Sequence, residues 1–248
     1  MAHLENSIPI KGFLETSFLD WPGKIASVIF LPSCNFRCPF CQNATLVLNP
    51  QHLKTWPLPE VLQQIKKLKD WIDGICITGG EPTIQKNLPD FIRIFKKKNL
   101  LVKLDTNGSY PHMIETLLKE NLVDAIAMDV KAPLEEFAYT RSTGVPVDLK
   151  AIKKSIDLIR QSSIEKIFRI TVVPEMLTEE DIYRLSEDLY PLNTLVLQQF
   201  RPENTLDPKL KHEQPWPQEK LEQVQKQVDQ LLTVRELKSK DDSQKNNL

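Results

Sequence analysis

The sequence predicts an α/β domain built as a partial (β/α)6 barrel of the TIM type. Three observations lead there. Short apolar runs rich in β-branched residues alternate six times with stretches of helical spacing, the pattern of parallel strands joined by crossover helices. At 248 residues the chain can bury one large core, and the alternation has no long break to divide it. Polar residues gather just after each apolar run, where βα barrels build their rim.

The elements follow in order. Residues 25–30 read as a short buried strand. Leu58, Val61, Leu62, Ile65, Leu68 and Ile72 then keep helical spacing. Residues 75–78 form the second strand, and Leu88, Phe91, Ile92 and Phe95 the next helical stripe. Residues 101–104 are strand-like, and Met113, Ile114, Leu117 and Leu118 are helical. The fourth strand covers 123–130. Asp148 then opens a helix through Leu149, Ile152, Ile156 and Ile159. Residues 167–173 are β-branched. Thr178 and Asp181 have capping-box spacing before Ile182, Leu185 and Leu189. The sixth strand is 195–200, and Leu221, Val224, Val228 and Leu231 mark a last helix. The expected domain is therefore 1–234. The remainder, 235–248, is charged and lacks an apolar face, so it reads as a frayed or disordered tail.

Lys and Arg number 32 against 33 Asp and Glu, a net charge of −1. That balance gives no electrostatic argument for a nucleic-acid or membrane-surface partner. No apolar run approaches the roughly 18 residues a spanning helix needs. The first residues lack the basic and apolar regions of a secretory signal, so a cytoplasmic chain is expected.

The cysteines carry the first chemical signal. Cys34, Cys38 and Cys41 fall within eight residues directly after a strand, and Cys76 lies far away. Clustered thiols in a reducing compartment read as metal or redox ligands, not as a disulfide framework. Structural zinc takes four protein ligands, and an electron-transfer iron–sulfur cluster takes four cysteines. Three thiolates leave one metal position open to a reactant. The alternative is a zinc loop completed by His52 or Cys76. Cys76 itself sits inside a strand and reads as core. His3, His52, His112 and His212 are scattered and read as ordinary surface or loop histidines.

The other strand ends add to this. Gly79-Gly80 lets backbone approach a ligand closely and adopt positive φ, and Glu81 offers an acceptor for a cationic amino group. Asp105, in Asp105-Thr106-Asn107-Gly108, suits a ribose hydroxyl or a cation. Lys131 and Arg169 are donors suited to a carboxylate. Asp129 and Lys131 share one strand face, as do Arg169 and Thr171, and Gln199 and Arg201. A buried structural ion pair is the plain reading of Asp129 with Lys131. Six polar strand ends in succession argue for a shared site.

With these residues in view, the chain resembles a family. Cys34-x3-Cys38-x-Phe40-Cys41 followed by Gly79-Gly80-Glu81-Pro82 resembles the radical SAM enzymes. Asp20-Trp21-Pro22-Gly23-Lys24, Asp105-Thr106-Asn107-Gly108 and Met128-Asp129-Val130-Lys131 resemble the activating enzymes of glycyl-radical proteins. The similarity runs from about Gly12 to Pro202 and is greatest to the anaerobic ribonucleoside-triphosphate reductase activating proteins. It implies a radical SAM core holding one 4Fe–4S cluster on three cysteines. S-adenosylmethionine binds the open iron by its amino and carboxylate groups. One electron cleaves it to methionine and a 5′-deoxyadenosyl radical, which takes a hydrogen atom from a glycine Cα of a partner glycyl-radical enzyme. A flavodoxin- or ferredoxin-type protein supplies the electron.

Carried over by position, Cys34, Cys38 and Cys41 hold the cluster, and Gly79, Gly80 and Glu81 hold the methionyl amino group. Phe40 and Asn107 lie near the nucleoside, and Asp129 and Lys131 line the site. Asp105, Thr106, Met128 and Asp129 match a monovalent-cation site of formate-lyase-type activases. The segment Gln199-Phe200-Arg201-Pro202 departs from the His-bearing strand end of those enzymes, which leaves its contact with S-adenosylmethionine open. Two other readings stand beside this one. One is a radical SAM enzyme acting on a small molecule or nucleoside. The other is an iron–sulfur electron-transfer or zinc-binding module, opposed by the missing fourth ligand and the other polar strand ends.

Overall fold

The computed structural model describes residues 8–245 apart from 191 and 193; for 236–245 it describes the backbone alone. Seven strands form one sheet in sequence order: β1 (Gly12–Ser17), β2 (Ala26–Leu31), β3 (Gly74–Gly79), β4 (Leu101–Thr106), β5 (Ala125–Asp129), β6 (Glu165–Val172) and β7 (Thr194–Gln199). From β2 to β7 every pairing is parallel. These are the six strands of the sequence reading. The sheet ends at β1 and β7, which do not pair with each other, so the barrel is partial.

Helices join the parallel strands: α1 (Ala44–Leu48) and α2 (Leu58–Lys67), then α3 (Leu88–Lys96), α4 (Pro111–Lys119), α5 (Glu136–Thr143), α6 (Leu149–Gln161) and α7 (Glu179–Asp188). Asp148 caps α6 by accepting from the Lys150 and Ala151 amides. Thr178 and Asp181 form the expected capping box on α7. The last helix, α8 (Gln218–Lys245), continues past the boundary set at 234, through a stretch of good helix formers with no Gly or Pro. Residues 246–248, the end of the expected tail, lie outside the described residues. No described helix is long and apolar enough to cross a membrane.

Three elements escaped the periodicity. β1 is an antiparallel edge strand with two exposed positions and an irregular register between Leu14 and Ser17. α1 has only five residues, too few to show a period. α5 buries Tyr139, Ser142 and Thr143, and so lacks an apolar stripe.

Alternation along the strands separates two faces. Ile29, Leu31, Ile75, Ile77, Val102, Leu104, Ile126, Phe168 and Ile170 point outward and pack with the helices in one core. Residues of the opposite parity form a second, small cluster inside: Ala26, Val28, Cys76 and Ala125 around Trp21. Trp21 comes from the β1–β2 loop and is fully buried, and its Nε1 donates to Glu165 Oε2 at 3.0 Å. The small side chains around it make room for the indole, which closes the bottom of the barrel. At the other edge a side chain takes the place of a missing strand. Gln225 of α8 accepts from the Leu197 amide at 2.8 Å and donates to the Leu195 carbonyl at 2.9 Å.

Candidate active site

The site lies where the inward-facing strand ends and the loop after β2 meet. Leu31 ends β2, and residues 32–43 carry the three cysteines. Ser33 takes a left-handed φ of 68° as the chain leaves the sheet, with its amide on the Leu46 carbonyl of α1. The Cys41 amide donates to the Cys38 carbonyl at 3.0 Å, turning the chain so that both thiols face one side. The loop is held from three directions. Arg37 N donates to Thr143 O of α5, Asp207 N donates to Pro39 O, and Gln42 Nε2 donates to Arg201 O. Arg37 also folds back to give its Nη1 to the carbonyls of Cys34 and Phe36.

Burial raises all three thiols. Desolvation pushes Cys34 up to about 11 and Cys38 up to about 12, and it raises Cys41 as well; Lys131 pulls the other way on each. In the metal-free chain they are therefore neutral thiols at pH 7, and metal takes the place of their protons.

The loop after β3 packs directly on the cysteine loop. Gly80 N donates to Leu31 O at 2.9 Å and Glu81 N to Ser33 O at 2.8 Å. Gly79 has φ 130°, and a Cβ at either glycine would overlap this backbone, at Leu31 for Gly79 and at Ser33 for Gly80. The close approach expected of the pair is thus spent on the cysteine loop. Glu81 also differs from expectation. Its carboxylate is buried and already accepts from the Thr83 amide and hydroxyl, from Thr106 Oγ1 at 2.7 Å and from Asn107 N at 2.7 Å. Oε1 takes three of these donors and Oε2 one. The side chain therefore brackets the ends of β3 and β4. Burial raises the Glu81 carboxyl against the pull of these bonds.

Asn107 links β4 to the cysteines. Its Nδ2 donates to Asn35 Oδ1 at 3.1 Å and approaches Cys34 Sγ at 3.8 Å. Beside it runs a chain of alternating charge. Arg169 Nη1 donates to Asp105 Oδ2 at 2.8 Å, Arg169 Nε to Asp129 Oδ1 at 2.7 Å, and Lys131 Nζ to Asp129 Oδ2 at 3.1 Å. Lys103 completes it by donating to Asp105 Oδ1. Burial opposes charge on both aspartates, but Arg169 with Lys103 or Lys131 outweighs it and holds both carboxyls below the usual range. The expected Asp129–Lys131 pair is thus part of a larger network. Lys131 Nζ also lies 5.9 Å from the centre of the Phe40 ring, a cation–π distance.

All the side chains proposed for cluster and cofactor converge. Cys34, Cys38, Cys41, Phe40, Gly79, Gly80, Glu81, Asp105, Asn107, Asp129, Lys131 and Arg169 line one cavity of about 540 Å³. That is within the range of roughly 300–1,000 Å³ typical of cofactor pockets. Gln199 and Arg201 line it too. His52 and Cys76 do not. His52 is exposed, and Cys76 is fully buried beside Lys103, so neither joins the three thiols. The sequence reading named Asp20 only as part of a motif and passed over Phe36, Asn43, Thr78 and Gln198; all five line the cavity. It missed Lys103 as well. The signal was present: a lysine two residues before Asp105 in an apolar strand shares its inward face.

A family profile of the radical SAM superfamily matches residues 28–189, which include the cysteine loop and the ends of β3 to β6. The chain belongs to the radical SAM superfamily. It is thereby an oxidoreductase-type radical enzyme, of a family that uses a 4Fe–4S cluster and S-adenosylmethionine. Among its relatives is a Methanocaldococcus jannaschii protein named as a glycyl-radical enzyme activating enzyme, 36% identical over 82% of this chain and 84% of that one. Another is the pyruvate formate-lyase-activating enzyme of Clostridium pasteurianum, 25% identical over 86% of this chain and 94% of that one. The fold is similar to that of Streptococcus suis SuiB, solved with S-adenosylmethionine bound, with a TM-score of 0.64 at 16% identity over 84% of this chain. The chain spans about half of SuiB, 49% of its length.

The donor set fits an iron–sulfur cluster: three thiols on one loop, facing a polar cavity, with no fourth cysteine beside them. Each oxygen of the Asp105 and Asp129 carboxylates already takes one cationic donor, so a monovalent cation held there would lie beside Lys103, Arg169 and Lys131.

Proposed function

We propose that this chain generates a glycyl radical on a partner enzyme, an anaerobic ribonucleotide reductase by its motifs, using S-adenosylmethionine and a 4Fe–4S cluster. The observation that carries the reading is the run of similarity to activating enzymes along most of both chains, combined with a cavity that gathers the three cysteines with Gly79, Gly80, Glu81, Asp105, Asn107, Asp129 and Lys131. Cys34, Cys38 and Cys41 hold the cluster, and a flavodoxin- or ferredoxin-type protein reduces it. When bound, the cluster supplies the electron that cleaves S-adenosylmethionine to methionine and a 5′-deoxyadenosyl radical.

The chain's own groups bind and orient. The backbone of Gly79 and Gly80, pinned against the cysteine loop, presents acceptors to the methionyl amino group. Lys131 and Arg169 turn cationic faces toward its carboxylate. Phe40 and Asn107 flank the nucleoside, with Asn107 fixed by Glu81 and Asn35. The buried floor of Trp21 and the held cysteine loop exclude water, which a primary carbon radical requires. The gap between β1 and β7 admits a peptide loop. Glycine suits the chemistry because no side chain blocks its Cα and the resulting radical is stabilised by its flanking amide groups.

The test is anaerobic. Reconstituted, reduced protein with S-adenosylmethionine should release 5′-deoxyadenosine. Mixing with the partner should give an electron paramagnetic resonance doublet that collapses when the glycine is deuterated at Cα. If co-expressed glycyl-radical enzymes give no signal while a small molecule stimulates deoxyadenosine release, the substrate is the small molecule.

A further inference from the structure

Lys103 lies beneath the cavity floor and is 1% exposed. On β4 it shares the inward face with Asp105. Strand register places it in a row with Val28, Cys76, Ala125 and Glu165, and the small Cys76 and Ala125 at its sides leave room for a long stem. Its Nζ donates to Asp105 Oδ1 and lies 3.6 Å from Cys76 Sγ. Cys76 faces Asp105 too, at 3.7 Å. A buried ammonium is costly, and replacing a buried ion pair by apolar side chains is often neutral or stabilising. Packing alone therefore gives no reason for a lysine between Cys76 and Ala125.

The charges give a reason. On the inward ends of β4 to β6 and just beyond, Lys103, Arg169 and Lys131 face Asp105 and Asp129, three cations for two carboxylates. Each carboxylate oxygen takes one of their donors. An alkali ion at these aspartates would sit against three cations already bonded to them.

We propose that Lys103 is a built-in counter-ion that stands in for a bound monovalent cation. As a positioning residue it neutralises Asp105 from below. Arg169 is thereby shared between Asp105 and Asp129, which holds Asp129 and Lys131 in place at the cavity. The site then needs neither potassium nor sodium. The proposal rests on the S-adenosylmethionine reading only for its last measurement.

The experiment compares potassium, sodium and rubidium chlorides with choline chloride at constant ionic strength, first on the cluster-free chain. A cation whose Kd is a hundredth of the salt concentration shifts the folding equilibrium about 100-fold. The native protein should show no such shift between choline and potassium, and should retain no stoichiometric rubidium in equilibrium dialysis. Lys103→Met, which keeps the stem and removes the charge, should gain potassium-dependent stability and bind one rubidium. Lys103→Arg should stay indifferent to the salt. Stoichiometric rubidium on the native protein overturns the proposal, as does a folded Lys103→Met that ignores potassium. If Lys103→Met does not fold, the native protein's response decides. On the reconstituted protein, affinity for S-adenosylmethionine should be the same in choline and in potassium. Absence of binding in every salt would instead overturn the functional reading, and the cluster-free measurements would still decide the role of Lys103.

Discussion

Replacing Arg169 by methionine should break the site's charge network at its centre. The guanidinium makes two charge-assisted hydrogen bonds, at 2.8 Å to Asp105 and 2.7 Å to Asp129. Its side chain is 17% exposed, against 8% for Asp105 and 25% for Asp129, so solvent screens these pairs little. Removing one partner of a buried pair costs about 3–5 kcal/mol, because the other charge stays behind. Here two carboxylates stay behind, each with one remaining lysine, which keeps the expected loss in that range. Domains of this kind have a total stability of about 5–15 kcal/mol, so the change is large but survivable. The assay is urea denaturation of the cluster-free chain from pH 3 to 8. The sign follows from the lowered carboxyls: their stabilisation is present above the free carboxyl value of about 3.9 and is lost as pH falls through the lower folded values. Arg169→Met raises both folded values toward the free one. The gap between parent and variant should be widest near neutrality and close as pH falls below about 4. Arg169→Lys retains charge but cannot reach both carboxylates with one planar fork, so it should fall between. A loss under about 1 kcal/mol at pH 7, or a gap independent of pH, would refute the network as a source of stability.

Three further outcomes follow from the geometry. At pH 8 a thiol at about 11 is about one part in a thousand ionised, against roughly a tenth for an unshifted thiol at 9.0, so alkylation of Cys34 in the cluster-free chain should run about 100-fold slower folded than denatured. With folded thiols raised, that chain should also lose stability as pH climbs from 9.0 toward 11, which a melting series checks. Trp21→Ala should cost about 3–5 kcal/mol by emptying the barrel floor, while Trp21→Phe should lose mainly the bond to Glu165, about 1.5–3 kcal/mol, both read from denaturation curves. Gln225→Ala should speed hydrogen exchange at the Leu197 amide and destabilise by about 1 kcal/mol, since it strips β7 of its side-chain partner.

The fold was legible because parallel strands covered on both faces must be apolar at nearly every position, as in 75–78 and 101–104, and because crossover helices must carry one apolar stripe. β1 and α5 were not, for the converse reason. An edge strand half in solvent and a helix buried through Tyr139, Ser142 and Thr143 have no such stripe to read. The site was legible as a set of residues and only partly as roles. Position after a strand tells which end of the barrel a residue occupies, and alternation tells which face, so ten residues far apart in sequence could be assigned to one cavity, with Phe40 and Asn107 added by the family resemblance. Neither rule tells whose donors fill a carboxylate. Glu81 looked unpartnered, and it proves to accept from Thr83, Thr106 and Asn107.

That difference bears on how the site is built. A carboxylate aimed at a ligand must be left short of donors until the ligand arrives, at a desolvation cost the empty protein bears. Three of the acidic groups in this cavity are instead held by the protein's own donors. Glu81 accepts from neutral donors, and Asp105 and Asp129 from Lys103, Arg169 and Lys131. Their geometry is set before any cofactor binds, and what faces the cavity unspent is donor capacity: an ammonium at Lys131 has three hydrogens, and Asp129 takes one. A cavity organised in this way is prepared for an anionic group, which is the carboxylate end of an amino acid. It leaves the capture of a cationic amino group to backbone carbonyls and the metal. The three thiols complete the arrangement, since they become anionic only when metal replaces their protons. Further negative charge would thus arrive with a bound cluster, next to cations already in place.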